Sequence, residues 1–138
     1  MQQINLAFLE ATLGPLVGGA DDDEQTERYK NFDSNNEVLV KNVIATTIKI
    51  AFDAKTEPYK SEVKKALAFS LLTNYNFEGI FDSNLVAFEA PCDPRNFFFW
   101  TWEILFPRES IGLDYSIETY TVITSWQELL TKKSLGLN

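Results

Sequence analysis

"RNFFFWTWEILFP" occupies residues 95–107, and its reading decides the fold. Three phenylalanines and two tryptophans fall between Phe97 and Trp102. Aromatic and β-branched side chains suit a pleated, half-buried surface. The stretch lies between "PCDP" (91–94) and "PRESIGL" (107–113), both rich in turn-forming residues. It therefore reads as a strand over 96–106. One face of a strand hides only every second side chain, so the remaining aromatics need another role.

Two neighbouring stretches share this texture. "LVAFEA" (85–90) and "DYSIETYTVIT" (114–124) also read as strands, which makes an antiparallel meander after Asn76. The hydrophobic pattern selects a register for the second hairpin, because a one-residue slip flips every side chain. In that register Trp100, Trp102, Ile104, Tyr115 and Ile117 share a buried face. Phe97, Phe99, Glu103, Glu118 and Tyr120 share the opposite one. That second face is either covered by a helix or an exposed aromatic and acidic patch of the kind that binds partners.

Upstream, the spacing changes to helical. Residues 3–13 read as a short helix ended by Gly14 and Pro15. Residues 38–52 are β-branched, yet Lys41, Asn42, Thr46, Lys49 and Asp53 fall on one helical face and Val40, Ile44 and Ile48 on the other. Ser34 with Glu37 reads as a capping box at its start. Residues 58–73 read as a second helix with Thr56 as cap and Pro58 in the first turn. Ser125 with Glu128 caps a short closing helix. "FDSN" occurs at 32–35 and 81–84, but its flanks differ, so it reads as shared turn chemistry. The expected fold class is α+β: N-terminal helices packed on a C-terminal antiparallel β-meander, with a short closing helix.

The 138 residues suit one domain, 1–138, and a chain of this length buries roughly 68–70% of its unfolded surface without metal or disulfide. A lone cysteine, Cys92, permits no internal disulfide and fits a cytoplasmic setting. No basic start precedes an apolar leader, and no apolar run reaches 18 residues, so neither export nor a membrane span is expected.

Net charge is −8, unevenly spread. Residues 1–37 hold eight acids against two bases. Residues 38–75 hold six lysines against three acids. Residues 76–138 hold nine acids against four bases. An acidic protein repels nucleic acid phosphates and attracts basic partners.

The chain has no histidine. Ser-His-Asp and Cys-His chemistry are thereby excluded, as are histidine-ligated metals. Cys92 alone makes no zinc site. Asp21, Asp22, Asp23 and Glu24 lack the alternating spacing and central glycine of a calcium loop. Gly18-Gly19 lacks phosphate-loop spacing. No cofactor motif is present.

A small, acidic chain without catalytic residues is similar, in size and charge, to immunity proteins of bacterial toxin systems. The similarity implies a non-enzymatic protein that neutralises a basic partner such as a toxin nuclease, with acids standing in for phosphates. The partner-binding residues on this reading are Glu103, Glu118, Tyr120, Phe97 and Phe99 on the sheet, with Asp21, Asp22, Asp23 and Glu24 in the loop. The protein would be a monomer, or a homodimer through Phe97 and Phe99. The alternative is a ligand-binding or carboxylate-based catalytic α+β domain, with Phe98, Trp100 and Trp102 lining a pocket.

Overall fold

The computed structural model describes residues 2–18 and 23–135; the side chains of Asp23 and of 131–135 lie outside that set. Helices dominate. In chain order the elements are strand β1 (Gln2–Asn5) and helices α1 (Ala7–Ala11), α2 (Asp23–Arg28), α3 (Glu37–Thr46), α4 (Ile48–Asp53), α5 (Glu57–Leu72), α6 (Ile80–Ser83) and α7 (Pro94–Leu105). Strand β2 (Tyr120–Ile123) and helix α8 (Trp126–Leu135) complete them.

The antiparallel meander does not exist, and the deciding stretch is a helix. Asp93 caps α7, its carboxylate accepting from the Arg95 N–H at 3.1 Å, and Pro94 takes the first helical position. Both residues favour a helix start for physical reasons: the cap satisfies an orphan amide, and proline has no amide to satisfy. The buried positions, Phe97, Phe98, Thr101, Trp102 and Leu105, recur at three to four residues and form one wide stripe. A strand would have buried alternate residues instead. Phe97 and Phe98 are both fully buried: Phe98 stacks on Phe77, and Phe97 meets Phe81 edge-on and Phe88 at a tilt.

The other two expected strands are also corrected. Residues 85–90 form only a single bridge, Val17 to Val86, with Leu85 held at φ 55°. Phe88 is their one deep anchor, packed against Tyr29 and Phe32. Of 114–124, only Tyr120–Ile123 is a strand, preceded by a 3-10 turn over Ile117–Thr119. It pairs in parallel with β1, Gln2 opposite Tyr120 and Asn5 opposite Ile123. The expected helix at 3–13 therefore begins only at Ala7.

Asn5 explains that switch. Its side-chain oxygen accepts from the Ala7 N–H at 3.0 Å and from the Ser125 N–H at 2.9 Å. Its amide donates to the Ser125 carbonyl at 2.9 Å. One buried side chain thus ends β1, starts α1 and pins the chain at Ser125, 120 residues away.

The N-terminal helices lie where the polar spacing puts them. The 38–52 helix breaks at Thr47 (φ −126°, ψ −73°), giving α3 and α4. Its cap is Asn36, whose side chain accepts from Leu39, and Ser34 is buried instead. Thr56 precedes α5 but makes no capping bond. At α8 the expected cap is present, with Ser125 Oγ accepting from the Glu128 N–H at 3.2 Å. The buried apolar side chains join into one core cluster running from Ile4 to Leu129. No described helix is long and apolar enough to cross a membrane.

Candidate functional site

The face expected to unite Glu103, Glu118, Phe97, Phe99 and Tyr120 is dissolved by the helical α7. Phe97 is fully buried and Phe99 half-buried against the core, so they form no exposed patch. Phe98 and Trp102 also fill the core, and the Trp102 indole donates to the Glu109 carbonyl at 2.8 Å. Neither serves as the wall of a sheet-bounded pocket.

Glu103 has a structural partner. It takes the Lys41 ammonium at 2.6 Å, and Glu37 holds the same ammonium at 2.7 Å. These bonds, Glu103 first, raise the Lys41 pKa above its usual value. Glu103 thereby ties α7 to α3. Four more of the six lysines in the central segment are matched in the same way: Lys49 to Asp53, Lys60 to Glu57, Lys64 to Glu109 and Lys65 to Glu62.

Glu118 and Tyr120 stay together and near the surface. Glu118 lies exposed in the turn that leads into β2. Tyr120 opens that strand, half-buried, its ring 6.5 Å from Phe69 and 6.3 Å from Tyr115. The Tyr115 contact sets the ring that follows Asp114 in sequence beside the first residue of β2. Asp114, Tyr115 and Val122 are all exposed. Tyr115 is 55% and Val122 44% accessible, high values for such large side chains. Among the described residues neither Asp114 nor Glu118 has a cationic partner. From Glu109 to Thr131 the sequence contains no lysine or arginine. Tyr115, Val122 and Asp114 are functional candidates that the strand reading concealed, although the base-free run was visible in the sequence.

A second acidic region surrounds residues 87–92. A groove of about 730 Å³ is lined by Glu27, Asp33, Glu89 and Lys30 among others, and a hollow of about 260 Å³ beyond it by Glu78, Asp82 and Glu89. Lys30 pairs with Glu27 at 3.9 Å. Cys92 is exposed there, its N–H donated to the Asn35 side chain at 2.7 Å. Of the acidic loop, Asp21, Asp22 and the Asp23 side chain lie outside the described residues. Glu24 is on α2, within 3.9 Å of Arg28. Among the described residues no three cysteine, aspartate or glutamate side chains are placed to share a metal ion.

Compared with protein-family models, with curated proteins and with solved structures, the chain matches none.

Proposed function

We propose that the chain is a non-enzymatic interaction protein whose surface around β2 binds a basic protein. The observation that carries this reading is that, among the described residues, Asp114 and Glu118 have no cationic partner, while Tyr115 and Val122 are exposed. Elsewhere the acids of α3, α4 and α5 are matched by lysines, so their field is short-ranged. Here aromatic and aliphatic surface sits beside unmatched carboxylates. Tyrosine supplies contact area at interfaces, and the carboxylates supply steering and register. Blocking a basic active site, as in the neutralisation of a toxin nuclease, is the form of partnership that the chain's size and charge suggest.

Affinity capture from a lysate of the source cells tests this. Immobilised wild type and a Glu103→Gln variant should retain the same basic protein at low salt. An Asp114→Lys/Glu118→Lys variant should lose it while keeping its circular dichroism spectrum. Surface charges govern association, so added salt should slow capture by the wild type. Retention by the double variant, or capture of only acidic proteins, would remove this surface from consideration.

A further inference from the structure

The two strands form a sheet with two outer edges, and the edges are treated differently. The Leu6 N–H donates to the Ile123 carbonyl at 2.8 Å, the next bond of the parallel ladder after Asn5 and Ile123. Backbone polar groups of a strand point to alternate sides. Gln2, Ile4, Thr121 and Ile123 therefore aim theirs into the ladder. Gln3 on β1, and Tyr120 and Val122 on β2, aim theirs outward.

The outer edge of β1 is guarded. The Lys65 ammonium, from α5, donates to the Gln3 carbonyl at 3.3 Å while holding Glu62 at 3.1 Å. A lysine on an outward carbonyl is one of the ways proteins keep an edge from recruiting another strand. The outer edge of β2 has no such guard among the described residues. The Tyr120 N–H is used locally, on the Ile117 carbonyl. The N–H and C=O of Val122 and the C=O of Tyr120 face outward, in a strand where Thr121 and Val122 are exposed. A sheet of only two strands also gains stability from a third.

We infer that the partner adds a strand to the open edge of β2, and that this strand carries lysine or arginine. The inference rests on the binding surface proposed above and specifies how it is used. Main-chain hydrogen bonds at Val122 would give affinity, and Glu118 in the turn that leads into the strand, with Asp114 in the loop before it, would select basic side chains. The same charges disfavour a second copy as occupant. Pairing β2 with β2 across a two-fold axis would be antiparallel and would set the residues before β2 of one copy toward the end of β2 in the other, within a run, Glu109 to Thr131, that contains no lysine or arginine to meet Asp114 and Glu118.

The test uses the full chain, labelled with nitrogen-15, and an end-blocked octapeptide of alternating lysine and valine. Titration should shift the Val122 amide and its neighbours. It should also slow hydrogen exchange of the Val122 N–H at least fivefold. A peptide N-methylated at alternate residues keeps its charge but loses one bonding edge, and it should bind at least fivefold more weakly. Asp114→Lys/Glu118→Lys should abolish binding of both peptides. Equal binding of the two peptides, with the acidic residues still required, would overturn strand addition and leave the acidic-surface reading standing. Binding indifferent to Asp114 and Glu118, or no binding at all, would overturn both. Concentration-dependent Val122 shifts without peptide would assign the edge to a second copy and overturn the basic-strand inference.

Discussion

Removing the side chain of Asn5 is the most direct test of the fold, because three elements meet at its amide. Asn5 is 1% exposed and makes three hydrogen bonds, to Ala7 N–H, Ser125 N–H and Ser125 C=O. At about 1 kcal/mol net for each bond, Asn5→Ala should cost about 3 kcal/mol. Unpaired backbone groups at Ser125 would add to that where they stay dry. With a urea slope of about 1–3 kcal/mol per molar for a protein of this class, the midpoint should fall by roughly 1–3 M. Ser125→Ala is the matched control. It leaves both backbone contacts with Asn5 intact and removes only the hydroxyl that accepts from Glu128 N–H, a capping loss of about 1 kcal/mol. Urea unfolding followed by tryptophan fluorescence measures both. A loss at Asn5→Ala below about 1 kcal/mol, or no larger than at Ser125→Ala, would mean that the side chain does not hold β1, α1 and Ser125 together.

Trp102→Ala should cost about 3–5 kcal/mol, the range for a large buried aromatic, since Trp102 is 2% exposed, packs on Phe106 and donates to the Glu109 carbonyl; urea titration checks it. Alkaline pH should also weaken the fold. Burial raises the pKa of Tyr59 above the usual 10.0, burial and then the charge of Glu10 raise that of Tyr75, and the carboxylates of Glu103 and Glu37 raise that of Lys41 above 10.5. A raised folded-state pKa contributes stability that is complete below the unfolded pKa and is lost as pH rises through the folded one. Urea midpoints should therefore be flat up to about pH 9 and fall beyond about pH 10, with a shallower fall in Tyr59→Phe.

The sequence carries a helix signal at α7 in two places that the aromatic content obscures. "DP" at 93–94 places a cap acceptor directly before a residue suited to the first turn. The apolar residues at 97, 98, 101, 102 and 105 then follow helical spacing. Phe99, Trp100 and Ile104 blur that spacing because they too pack against the core, half-buried, so the run looks continuously apolar. β propensity largely reflects packing on a pleated surface, and a helix that is crowded on several sides supplies equivalent packing. The parallel pairing of β1 with β2 has no such local trace. The strands are four residues each and their partners lie 118 residues apart, so only the finished tertiary structure brings them together.

The candidate site divides along the same line between local and non-local information. The exposure of Glu118 follows from its charge and from the turn before β2, both local. The pairing of Glu103 with Lys41 spans 62 residues, and Glu109 with Lys64 spans 45. Those pairs change what the charge map means. The central segment, with its excess of lysines, draws acids from both sides, Glu37 from the N-terminal third and Glu103 and Glu109 from the C-terminal third. Such exposed pairs contribute only about 0–1 kcal/mol each to stability, yet they cancel the field that each acid would project. The acidity of the C-terminal third is thereby split into carboxylates that join helices and carboxylates that face outward. Asp114 and Glu118 belong to the second group, beside a strand edge that has no lysine guard among the described residues. A field that survives internal pairing is the one an approaching basic partner meets, and at physiological salt it reaches about 8 Å, enough to orient a strand before its main chain makes contact.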